Sequence, residues 1–132
     1  MPVTYKIDAS QKVIRTECSG AVTLGEVIAH FRELGEDPAC YGKLDVLLDV
    51  GAMDTLPQGR QFGAINSAIS RIRQKVQFGA CAIVATRDAL FGMMRMFAVL
   101  AGDYFRAVRV FRTLDEAEAW LASPTMEIGT DL

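Results

Sequence analysis

At 132 residues, with 51% apolar and 23% charged side chains and a formal net charge of -2, the chain has the size and composition of one globular domain with a substantial core. That balance excludes a disordered chain, and the lack of a basic cluster interleaved with aromatics excludes nucleic acid as a partner. No run reaches the roughly 18 apolar residues of a bilayer span, since 89–101 is cut by Arg95, and Met1 to Asp8 lacks the pattern of a secretory signal. Three cysteines, Cys18, Cys40 and Cys81, form no Cys-x-x-Cys pair; the odd count predicts buried thiols in a reducing, cytoplasmic setting.

Along the chain, Val3, Tyr5 and Ile7 alternate with Thr4, Lys6 and Asp8, and after Ala9-Ser10-Gln11 a second strand runs over 12–18, which predicts a hairpin. Thr23-x-x-Glu26 is a capping box that opens a first helix, whose buried stripe is Leu24, Val27, Ile28, Phe31 and Leu34. His30, the one histidine, falls at the edge of that stripe. Apolar runs at 44–50 and 80–85 read as central strands covered on both faces. Between them Phe62, Ile65, Ile69, Ile72 and Val76 recur at helical spacing, predicting a crossover helix over 58–75 with Arg71, Arg73 and Lys75 at its negative end. Asp88 is expected to cap a third helix running to Ala101, 108–111 to form the fifth strand, and Thr113-x-x-Glu116 to open a last helix ending at Leu121. The order ββαβαβαβα defines an α/β fold, a mixed, mainly parallel five-stranded sheet with four helices and the hairpin as its antiparallel edge. One domain over 1–122 follows, with 123–132, which has no periodicity, expected as a flexible tail.

No chemistry-bearing constellation emerges, so no catalytic residue, cofactor or metal site is assigned. His30 sits in mid-helix, away from a serine or cysteine nucleophile, and Gly59 to Gly63 lacks the Lys-Ser/Thr ending of a phosphate loop. Asp49 and Thr86 end central strands and Asp54 follows the first of them, where α/β sheets place their sites; with Asp88 the two aspartates offer at most a weak oxygen site for a divalent cation. The more informative segment is the third helix. Leu90, Met94, Phe97 and Ala101 mark one face, while Phe91, Met93, Met96 and Leu100 carry apolar surface beyond it. A helix lying on a sheet needs about a third to a half of its circumference apolar, so the surplus predicts a second subunit or a ligand. Leu90, Phe91, Met93, Met94, Met96 and Phe97 form the candidate surface, and three methionines give it an adaptable shape.

The segments Phe91-Gly92-Met93-Met94-Arg95-Met96-Phe97, Val110-Phe111-Arg112, Glu116-Ala117 and Trp120-Leu121, in this order of elements, resemble the STAS domain. The likeness covers about 3–121 and is closer to its bacterial SpoIIAA-like branch than to the anti-sigma-factor antagonists proper. In those antagonists a serine after the third strand is phosphorylated by a partner kinase. This chain has Met53-Asp54-Thr55-Leu56-Pro57-Gln58-Gly59 there, so the resemblance makes Thr55, beside Asp54, the candidate phospho-switch, in a loop whose spacing and Pro57 differ from the pattern. It implies a non-enzymatic binding or regulatory module acting through protein contacts, expected as a homodimer. The alternative is a carrier or sensor of a lipid or other small apolar molecule, as proposed for relatives likened to CRAL-TRIO lipid carriers.

Overall fold

The computed structural model describes residues 2–122. Its elements are β1 (Val3–Asp8), β2 (Val13–Gly20), α1 (Leu24–Glu36), β3 (Gly42–Met53), a 3-10 turn at Gly59–Gln61, α2 (Phe62–Ile72), β4 (Val76–Val84), α3 (Asp88–Leu100), β5 (Ala107–Phe111) and α4 (Leu114–Ala122). The five strands lie in the order β1-β2-β3-β4-β5; β1 runs antiparallel to β2 and all other pairs are parallel. Fold class and element order are therefore as the sequence predicts. The expected tail at 123–132 lies outside the described residues.

Alternation along the strands sorts the side chains into two cores. Ile14 and Cys18 of β2, Leu44 and Val50 of β3, and Cys81 and Ile83 of β4 face α1, α2 and α3. Val13, Leu47, Ala80, Ala82 and Val84 face the other way, onto Ala117 and Trp120 of α4. Three crossover helices thus share one face and α4 alone covers the other.

Two register shifts interrupt the ladders, one between β2 and β3 after Glu17, one between β3 and β4 after Leu44. Each leaves backbone N–H groups off the ladder, and an aspartate accepts from each site: Asp45 Oδ1 from Ala80 N at 2.9 Å, Asp49 Oδ1 from Gly51 N at 2.9 Å. At Gly79 a Cβ would stand 2.2 Å from Asp45 Oδ1, so only glycine lets that carboxylate reach the bulge.

Three local expectations change. The second helix ends at Ile72, and Val76 opens β4. Lys75 does not serve the end of its own helix; its Nζ donates to the carbonyls of Gly35 and Asp37, satisfying the C-terminal end of α1. Asp88 is the first helical residue of α3 with Arg87 at the N-cap, because its carboxylate pairs with Arg112 at 2.6 Å. The capping box of Thr23 with Glu26 forms as expected; at the last helix Thr113 Oγ1 accepts from Glu116 N and donates to Glu116 Oε1, so the Thr113 side chain caps the helix while the carboxylate bonds its hydroxyl.

Candidate functional site

Between the helix-covered face of the sheet and α1 and α2 lies a cavity of about 390 Å3, within the roughly 300–1,000 Å3 typical of small-molecule sites. Its floor comes from β2 and β3 through Ile14, Thr16, Val46 and Leu48, and its roof from Val27 and Phe31 of α1 with Ile65 and Ile69 of α2. Met94 and Phe97 close one end. Three lining residues are also exposed, Thr23, Leu56 and Gln58, and they place the opening between the start of α1 and the loop after β3. Among the described residues, no Asp, Glu, Lys or Arg lines it.

The polar groups at the opening are mostly engaged with the protein itself. Thr23 Oγ1 accepts from Glu26 N, and Gln61 Oε1 accepts from Gln58 N. Thr55 Oγ1 accepts from Val22 N and donates to Val22 O, both at 3.2 Å, which ties the loop to the chain just before α1. A phosphate on Thr55 would remove the hydroxyl proton and with it the bond donated to Val22 O.

Deeper in, His30 is 8% exposed rather than at a boundary, because Tyr5 and Phe31 flank its ring at 5.3 and 5.2 Å between centroids. Its Nε2 lies 3.3 Å from Thr16 Oγ1, while its Nδ1 is buried with no hydrogen-bond partner. Burial pushes its pKa down to about 4, so the ring is neutral at physiological pH. The other groups with shifted acidities are not poised for chemistry. Burial raises Cys18 to about 11 and Cys81 to about 12, and Tyr5, raised to about 12 by burial, donates to Asp37 Oδ2 at 2.7 Å.

The six residues singled out on the third helix do not form one surface. Leu90 is fully buried in the core and does not line this cavity; Met94 and Phe97 are buried and wall it. Phe91 is half-buried under the Arg112 guanidinium, 4.0 Å from its ring centroid, and Met93 is half-buried against the core. Met96 is exposed, in a strip with Leu100 and with Val99, which is 82% exposed. The walls supplied by α1 and α2, and His30 among them, went unmarked in the sequence, where Val27, Phe31 and Ile65 read as ordinary core positions. The aspartates do not converge. Asp49 serves a bulge, Asp88 pairs with Arg112, and among the described residues no three His, Cys, Asp or Glu side chains could hold a metal ion.

The class is thus an α/β domain of ββαβαβαβα order, built around an uncharged interior cavity on its three-helix face. The family model described as SpoIIAA-like matches residues 13–122, and the chain belongs to that family. The match begins with β2 and ends with α4, which bears out the resemblance drawn from the third helix, fifth strand and last helix. No curated protein matches the chain. Among the described residues, no helix is long and apolar enough to cross a membrane.

Proposed function

We propose that the chain is a non-enzymatic binding protein that takes a small apolar molecule into the cavity beneath α1 and α2. The observation that carries this reading is the lining: an interior space of about 390 Å3 with no charged side chain among the described residues and an opening at Leu56, which is 47% exposed. Native cores leave few voids larger than a water molecule, so a space of this size is a departure that ligand binding accounts for. The weight moves from the third helix as a partner surface to the cavity it helps to wall.

A second reading, pairing of two copies through α3, draws on the exposed strip Met96, Val99 and Leu100. Regulation through Thr55 draws less support, since its hydroxyl is already bonded twice.

Val27→Phe tests the first reading, because the added ring occupies the cavity from its roof. The variant should lose the fluorescence gain of N-phenylnaphthylamine seen with the wild type and gain about 0.5–1 kcal/mol of stability. Native mass spectrometry of the purified wild type separates the readings, with a co-purifying apolar molecule on the monomer expected for the first and a ligand-free dimer for the second. Equal probe fluorescence in both proteins would overturn the cavity as the site.

A further inference from the structure

The cavity has a length as well as a volume. Its lining takes Thr23, Leu24, Val27, Phe31 and Leu34 from α1, one stripe that runs from the N-cap to the last turn. From Thr23 to Leu34 the helix advances about 16 Å, at a rise of about 1.5 Å per residue. The opening, at Thr23, Leu56 and Gln58, sits at one end of the stripe. Toward the other end stand Phe78, near the start of β4, and Phe105, in the turn before β5, their ring centroids 5.1 Å apart. Strands β3 and β4 are parallel; Met53 ends the first and Phe78 lies near the start of the second, so the opening and the two rings belong to opposite ends of the sheet.

We propose that the cavity takes one unbranched hydrocarbon chain, laid along α1 with its tip against Phe78 and Phe105 and its head group left in water between Thr23 and Leu56. The inference rests on the binding reading above and adds to it the shape and direction of the ligand.

Length and volume agree on that shape. An extended chain with carbon–carbon bonds of about 1.5 Å advances about 1.3 Å per carbon, so about 16 Å holds about twelve carbons in file. The volume of about 390 Å3 holds about thirteen groups of roughly 30 Å3, the share of a water molecule and close to that of a methylene. A cavity of this length wide enough for two chains would have about twice the volume. A ring system or branched chain with as many carbons is shorter and wider than the space.

The head stays outside because the interior offers it nothing. Among the described residues no charged side chain lines the cavity, and the hydroxyls of Thr23 and Thr55 at the opening are already bonded to backbone groups. A carboxylate or other hydrated head drawn inside would lose its water without replacement. Left at the opening it keeps that water, and the site discriminates on the chain.

Saturated alkanoates of six to sixteen carbons, titrated by calorimetry, test the fit. Each added pair of carbons should tighten binding about fifteenfold, the effect of burying two methylenes, up to a chain of about twelve. Beyond that length the affinity should level off, because further carbons stand in water. Phe105→Ala, which removes a half-buried ring at the deep end, should move the break to about fourteen carbons and leave the shorter chains unchanged. A ring that only supports the fold would weaken every chain alike and leave the break in place, and that result overturns the proposal. Two measurements need no variant. A wild type with no break up to sixteen carbons overturns it, as does cyclododecanecarboxylate binding as tightly as tridecanoate, which has the same carbon count; about a tenfold weaker ring is expected from overpacking. Either outcome leaves the binding reading standing. Failure of the chains, the ring and N-phenylnaphthylamine alike to enter the wild type overturns that reading and the inference with it.

Discussion

Beneath α4 the sheet presents Ala80, Ala82 and Val84, small enough for Ala117 and Trp120 to lie directly on the strands, with the Trp120 ring tilted against Phe111 at 5.6 Å between centroids. On the opposite face three helices, among them long side chains such as Phe62, Met94 and Phe97, enclose a cavity. One short helix lies close on β4 and β5, with a second pocket of about 280 Å3 beside it at Arg15, Leu47 and Leu114, while three longer helices leave room beneath themselves. Helix number and apolar content therefore do not predict where a core is tight; the size of the strand residues beneath the helices does.

The largest test of that contrast is Trp120→Ala, which removes the side chain that seals the single-helix face. It should cost about 3–5 kcal/mol in chemical denaturation, whereas Ile65→Ala, half-buried and already beside open space, should cost about 1–2. Equal losses would erase the distinction between the faces.

A pH series sharpens it from the cavity side. His30 titrates at about 4 in the folded chain, against about 6.5 unfolded. Between those values the unfolded chain binds more protons, so stability is level above about pH 6.5 and falls as the pH drops, by up to about 3 kcal/mol at pH 4. Asp8 and Asp37, both held below the ordinary carboxylate value by hydrogen bonds, act in the same direction but only lower on the scale. His30→Phe should flatten the slope between pH 6.5 and 4; an unchanged slope would assign it to other groups.

The smallest effect belongs to the sheet that both faces share. Gly79→Ala pushes the Asp45 carboxylate off Ala80 N and should cost about 1–3 kcal/mol. Gly51→Ala meets Asp49 Oδ1 at 3.1 Å, a contact a few tenths of an ångström relieves, and should cost less. Thermal melts of the two variants rank them, and the reverse order would mean that the Asp45 bond contributes little.

Much of this architecture was legible because its signals are local. The capping box at Thr23, the Thr113 cap and the alternation from Val3 to Asp8 each depend on residues within one turn or one strand. The face Leu90, Met94, Phe97 and Ala101 was equally plain, and all four are buried. The rest depends on distances between elements. Lys75 serves α1 across 38 and 40 positions of chain, and Arg112 covers Phe91 from beyond β5. A cavity is harder still, for it is the gap left between helices, and a Val27 facing a gap has the same periodicity as one facing a neighbour. His30 was legible as the edge of a stripe and illegible as buried, since its neighbours Thr16 and Tyr5 lie on other elements.

The two bulges also say where this chain can change length. Across Gly79 the helix-facing positions pass from Val76 and Phe78 to Cys81 and Ile83, and across Gly51 they pass from Val50 to Met53, each a step of three where a strand takes two. Excising either glycine restores a step of two and leaves every later side chain on its present face. Excising Ala82 instead would turn Ile83 toward α4 and bring Val84 beneath the three helices. Of all places in the two central strands, these glycines are where a one-residue deletion would shorten the sheet without turning it inside out.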